Sequence, residues 1–227
     1  MTASHAMTAP HSITVSHTDR FIQAMNTSAI YAITDSKLMP GELLFEKAEA
    51  VLKAGIGCLQ YREKTADPVE KKQRAVRLLA LCRQYKTPLI INDDLELALE
   101  IDAGGVHLGQ SDGSLTEARA RLGVDKILGA TCHASLELAQ QAQDAGADYL
   151  AFGRFFPSAT KPDAPPAPLE LIAEAKARFQ LPIVVIGGID QSNAEVVFAQ
   201  GADMIAVVNS LFADDNPAAA LATFPQR

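Results

Sequence analysis

An apolar run ends in Asn92, Asp93 and Asp94, and the next apolar run ends in Gln110, Ser111 and Asp112. Two carboxylates that finish neighbouring strands could share a metal ion. With phosphate oxygens and water they would make a magnesium environment rather than an all-protein calcium cage. Asp and Asn also cap helices that follow strands, and Asp94 suits that role ahead of Leu95. Upstream, the stretch QYREK places Gln60, Arg62 and Lys64 on one side of a strand and Tyr61 and Glu63 on the other. In a sheet covered on both faces, two inward cations need anionic partners such as a bound diphosphate. Asp93 and Asp112, taken with this basic cluster, point to a site for a metal and a diphosphate.

Three further stretches could contribute. PSATKP carries Ser158, Thr160 and Lys161, two hydroxyls and a cation in a Pro-rich loop whose composition alone would also suit a solvated surface. IGGI, with Gly187 and Gly188, and VVNS, with Val208, Asn209 and Ser210, each follow an apolar run. In a barrel, loops at these two places bind phosphate through backbone N–H groups and a helix N-terminus. His107 lies among apolar neighbours and reads as a satisfied core residue, while His133 could line a mouth. Cys132 would need an electropositive setting to act as a nucleophile, which sequence alone does not supply.

The elements that must position these residues alternate strictly. Strands are predicted at residues 29–34, 57–63, 88–92, 104–109, 126–131, 148–153, 182–187 and 203–208. Between them lie Ala-, Leu- and Glu-rich segments with apolar residues three and four apart, giving a count of eight strands and eight helices. Parallel strands need such crossovers, and eight units that close on themselves make a single (β/α)8 TIM barrel. An open doubly wound sheet has less support, because no GxGxxG follows the first strand. The barrel then places Asn92, Asp93, Gln110, Asp112, Thr131, Gly188 and Asn209 at one rim, at or just past the strands' C-terminal ends. Residues 26–227 form the expected barrel domain. Residues 1–25, polar and without periodicity, read as a flexible N-terminal extension.

Composition sets limits. Of the 227 residues 48% are hydrophobic and 21% charged, enough apolar material for one sizeable core. A formal net charge of -7 argues against a nucleic-acid partner, so positive potential for an anionic substrate must be local or carried by a cation. Cys58, Cys82 and Cys132 have no zinc-like spacing, which suits a reducing, cytoplasmic compartment. No apolar run approaches a membrane span. The sequence is compatible with a homo-oligomer and does not decide the oligomeric state.

In this order, QYREK, NDD, HLGQSD, LGATCH, ADYLAFGRFFPSATK, PIVVIGGI and GADMIAVVNSLF resemble the thiamine-phosphate synthase family, over roughly residues 29–212. The resemblance implies a (β/α)8 transferase. It would join 4-amino-2-methyl-5-hydroxymethylpyrimidine diphosphate to 4-methyl-5-(2-phosphoethyl)thiazole, releasing diphosphate and forming thiamine phosphate. By resemblance, Asp93 and Asp112 hold Mg2+. Gln60, Tyr61, Arg62, Glu63, Lys64, Asn92, Thr131 and Lys161 bind the pyrimidine diphosphate, with Arg62, Lys64 and Lys161 stabilising charge on the leaving group. Ser158, Ala159, Thr160, Gly188, Val208 and Asn209 would hold the thiazole phosphate. The chain departs from the usual family pattern at Tyr61, where a smaller aliphatic residue is common, and at Thr131, Ser158 and the pair Asn209–Ser210. Two rival readings are a related thiazole tautomerase, which would not need Asp93, Asp112, Lys64 and Lys161 together, and a non-catalytic barrel that binds thiazole phosphate.

Overall fold

A computed structural model describes residues 22, 23, 25–157 and 165–225. Among them eight strands form one closed parallel barrel in chain order. The strands are β1 (Ile30–Ile33), β2 (Cys58–Tyr61), β3 (Leu89–Asn92), β4 (Gly105–Leu108), β5 (Ile127–His133), β6 (Tyr149–Phe152), β7 (Ile183–Ile186) and β8 (Met204–Val207). Each matches a predicted strand to within one or two residues. The ring closes where Ile30, Tyr31 and Ala32 pair with Ile205, Ala206 and Val207. β5 is the exception in length, running to His133 with a break in register between Thr131 and His133.

Helices α1 (Leu43–Ala54), α2 (Pro68–Gln84), α3 (Leu95–Glu100), α4 (Leu115–Leu122), α5 (Leu136–Asp144), α6 (Glu170–Arg178) and α7 (Ala194–Ala199) fill the crossovers. After β8 the expected single helix is split into α8 (Asn209–Phe212) and α9 (Pro217–Ala222). Pro217 explains the restart, since it lacks the N–H that an interior helical position must donate but fits the first turn. Local chemistry sets the other starts as well. Asp67 accepts from Val69 N and Glu70 N at 2.9 and 3.1 Å ahead of Pro68. Asp94 accepts from Leu97 N at 3.0 Å, the capping role expected of it.

Two apolar layers result. Outside the strands, residues such as Leu59, Tyr61, Ile91, Leu128 and Phe152 pack against the buried faces of the helices. Inside, Tyr31, Ile33, Cys58, Ile90, Ile127, Tyr149, Val184 and Met204 fill the barrel. Each such fully buried aliphatic side chain contributes about 1.5–3 kcal/mol. The opposite, N-terminal rim is tied by carboxylates. Asp203 accepts from Ile183 N at 2.8 Å and from Lys176 Nζ at 2.7 and 2.8 Å. Asp148, in a matching Gly-Ala-Asp run, accepts from Leu128 N at 2.7 Å and Arg119 Nη2 at 2.5 Å.

Candidate active site

The C-terminal ends of the strands open into a cavity of about 960 Å³. Its walls bring together Gln60, Arg62 and Lys64 from the β2 end, Asn92 and Asp93 from β3, and Asp112 from the loop after β4. Thr131 from β5, Gly188 after β7, and Val208, Asn209 and Ser210 after β8 complete the circle. The parallel register is the physical reason, since it stacks Asn92 beside His107 and Gln60 beside Ile90, so successive strands deliver their last residues to one level.

Asp93 and Lys64 form an ion pair at the mouth. Asp93 has φ 62°, a left-handed conformation that Asp and Asn tolerate better than most residues, and its N–H donates to His107 O at 2.8 Å. Burial pushes its carboxyl pKa up. Hydrogen bonds from Lys64 and from the Asp112 carboxyl, with the Lys64 charge, outweigh that and hold it below the ordinary value. Asp112 is anchored through Oδ2, which accepts from Gly109 N at 2.8 Å. A divalent cation held by Asp93 and Asp112 would favour the ionised form of both. Hard oxygen donors in this number suit Mg2+ completed by phosphate and water. Among the described residues, no group of three or more His, Cys, Asp or Glu forms an all-protein metal cage.

The β7 and β8 ends are built for close approach. Gly188 has φ 66°, and a Cβ there would lie 2.2 Å from Pro157 O, so the turn can pass under the loop after β6 only as glycine. Asn193 Nδ2 donates to Gly188 O at 3.0 Å, which fixes the turn. Ser210 Oγ donates to Ile189 O at 2.8 Å, so Ser210 braces the two loops while Asn209 remains exposed at the cavity edge.

This ordered ring of motifs has a counterpart among known proteins. Residues 30–211 match the family described as Thiamine monophosphate synthase. The chain belongs to that family. A thiamine-phosphate synthase of Saccharophagus degradans is 50% identical over 192 residues, covering 84% of this chain and 88% of that protein. One of Alcanivorax borkumensis is 51% identical over 183 residues, covering 81% and 84%. A solved thiamine phosphate pyrophosphorylase from Pyrococcus furiosus has a TM-score of 0.79 at 33% identity, covering 88% of this chain and 94% of that one.

Against the family expectations, two side chains of QYREK differ. Tyr61 is buried between barrel and helices, and Glu63 is held away from the cavity by Arg74 Nη1 at 2.8 Å and by Thr65 N and Ala66 N at 2.7 and 3.1 Å. The same alternation that turns Gln60, Arg62 and Lys64 inward turns these two outward, so neither side chain lines the cavity. Ser158, Ala159, Thr160 and Lys161 lie outside the described residues. Cys132 is buried and its thiol is pushed up to about 12, which removes it as a nucleophile at neutral pH.

The cavity also contains groups that the sequence did not single out. Tyr31 and Tyr149 lie at its floor, and Arg154, the second residue past β6, adds a cation to the wall. Arg154 could have been found by applying the strand-end rule to GRFFP. The tyrosines could not, because apolar neighbours make them look like ordinary filling.

Proposed function

We propose that this cavity joins an aminopyrimidine carbinyl diphosphate to a thiazole phosphate, giving thiamine phosphate and free diphosphate, with Mg2+ at Asp93 and Asp112. The observation that carries the reading is the meeting of these two carboxylates with Arg62, Lys64, Asn92 and Thr131 in one mouth. A sensor or a tautomerase has no diphosphate to chelate and no use for that combination.

In this reading Arg62 and Lys64 bind the diphosphate oxygens and hold them as the exocyclic C–O bond breaks. Mg2+, when bound, offsets the charge growing on the departing group. Gln60, Asn92 and Thr131 orient the pyrimidine end, and the turn at Gly188 with Val208 and Asn209 receives the thiazole phosphate through backbone N–H groups. No protein nucleophile is needed, because the thiazole nitrogen attacks the carbon left by diphosphate. The barrel aligns the two substrates and keeps out water that would otherwise capture the carbon as an alcohol. Ser158, Ala159, Thr160 and Lys161 retain the roles that family membership suggests. A cytoplasmic setting agrees with three buried free thiols. Among the described residues no helix is long and apolar enough to cross a membrane.

The test is incubation of the purified chain with both substrates, with Mg2+ or with EDTA. Equal, magnesium-dependent release of thiamine phosphate and diphosphate is the expected result. A folded sample that binds thiazole phosphate and forms neither product would overturn the proposal.

A further inference from the structure

Helix α1 turns a cation towards the barrel. Its buried face carries Leu44, Phe45, Ala48, Val51 and Leu52, and Lys47 sits among them at 6% exposure. No other Lys or Arg of the described residues is buried. Packing alone asks for an aliphatic side chain at such a position, and burying an ammonium group is costly unless it is hydrogen-bonded. Lys47 Nζ donates to Phe212 O at 2.7 Å and to Asp214 O at 2.8 Å. Both acceptors are main-chain carbonyls of the segment that leaves the mouth after β8.

These carbonyls need a donor from elsewhere in the chain. Phe212 ends α8, and the last carbonyls of a helix have no partner within it. The N–H that a continuing helix would bring to Phe212 O is that of Asn216, which donates instead to Asp214 Oδ1 at 2.7 Å. A tighter turn would bring Pro217 to Asp214 O, and Pro217 has no N–H. Lys47 takes the place of both.

The anchored peptide group is one turn from the cavity. The Phe212 carbonyl that Lys47 holds shares a planar peptide with Ala213 N, and that N–H donates to Asn209 O at 3.0 Å. Phe212 N likewise donates to Val208 O at 2.9 Å. At the cavity edge the segment is fixed a second time, by Ser210 Oγ to Ile189 O at 2.8 Å. Asn209 is therefore held between a clamp on the β7 loop and a clamp on α1. Lys47 does not itself line the cavity, so any effect it has on a ligand travels through this backbone.

We infer that Lys47 is a positioning residue for the ligand that Val208 and Asn209 receive, acting by fixing the Phe212–Ala213 peptide and with it the place of Asn209 at the mouth. The ligand is the thiazole phosphate only in the reading proposed above, on which this role in binding rests, whereas the anchoring does not. β1 stands between β8 and β2, so the effect is confined to that substrate and spares the diphosphate bound by Arg62 and Lys64.

The first experiment needs no activity. Lys47→Met keeps the aliphatic stem and removes the donors, and amide hydrogen exchange is measured on the ligand-free chain. Leu211, Phe212 and Ala213 are expected to exchange at least roughly tenfold faster, with the amides of α5 unchanged. Unaltered exchange at these three residues overturns the anchoring. The second experiment measures KM for each substrate at a temperature where the variant is folded. KM for the thiazole phosphate should rise roughly tenfold while that for the pyrimidine diphosphate stays within about twofold. Asp203→Ala, weakened at the far rim, is the reference for lost stability alone and should shift neither value. Equal rises for both substrates, a matching rise in Asp203→Ala, or no rise at all would make Lys47 an ordinary structural residue and overturn the inference. If Lys47→Met does not fold, Lys47→Gln, an uncharged donor, carries both tests under the same criteria. An unsubstituted chain that makes no thiamine phosphate would defeat the functional proposal and with it the role in binding, and the exchange rates would still decide the anchoring.

Discussion

Gly129 lies directly against the ring of Tyr149: a Cβ built at 129 would come within 2.1 Å of Tyr149 Cζ and 2.2 Å of its hydroxyl. The two residues pair across β5 and β6, so the glycine is the space into which the tyrosine projects. Gly129→Ala is expected to force the ring aside, because both neighbours sit on hydrogen-bonded strands that cannot retreat cheaply. Overpacking of this kind costs about 1–3 kcal/mol. Chemical denaturation should register that loss, and turnover should fall with it because the ring supports the floor of the cavity. Unchanged stability would mean that β5 yields more easily than its pairing suggests.

Asp93→Asn and Asp112→Asn are expected to lower turnover by at least roughly a hundredfold with the fold intact, since a bound cation contributes several kcal/mol. Asn is the appropriate replacement at 93 because it also tolerates the left-handed backbone there, so a defect cannot be assigned to strain. Raising the magnesium concentration should recover part of the activity. Folded variants with full turnover would remove the two residues from the metal site.

Glu63 should matter for stability and not for substrate affinity. Its side chain is 2% exposed and paired with Arg74. Burial raises its pKa, but hydrogen bonds from Thr65 and Ala66 and the Arg74 charge bring it below the ordinary 4.5. A group depressed in the folded state supplies stability that is complete above its unfolded pKa and is lost as pH falls towards the folded value. Glu63→Gln is thus expected to cost about 1–3 kcal/mol at neutral pH, to flatten the loss of stability below about pH 4.5, and to leave KM for both substrates unchanged. Urea midpoints between pH 3 and pH 7 would show it. A raised KM with normal stability would return Glu63 to the binding site.

Much of the site was legible because strand alternation and the barrel rule act on residue types alone. The placement of Gln60, Arg62 and Lys64 follows from a period of two. The rim position of Asp93 and Asp112 follows from counting to the end of a strand. What could not be read depends on partners far away in the chain. Glu63 turns to Arg74 eleven residues later, Tyr31 and Tyr149 meet across 118 residues, and the split of α8 from α9 follows from a single proline whose effect depends on where the preceding helix stops. His107 was expected to be a satisfied core residue, and both its ring nitrogens are bonded. That its hydrogen bonds lead to the cavity is a matter of three-dimensional register.

The far rim offers a contrasting prediction. Asp203 is buried and joins the start of β7 to α6, taking one hydrogen bond from Ile183 N and two from Lys176. Removing the carboxylate leaves a buried backbone N–H without its acceptor, a loss of about 1–3 kcal/mol. Asp203→Ala is therefore expected to lower the urea midpoint clearly, whereas Asp125→Ala, at an exposed position, should change stability by less than about 0.5 kcal/mol. Because Asp203 lies at the end of the barrel away from the mouth, the variant should retain kcat and KM at temperatures where it remains folded. Loss of turnover in folded Asp203→Ala would show that the two rims are coupled through β7 and β8, the strands that lead to Gly188 and Asn209.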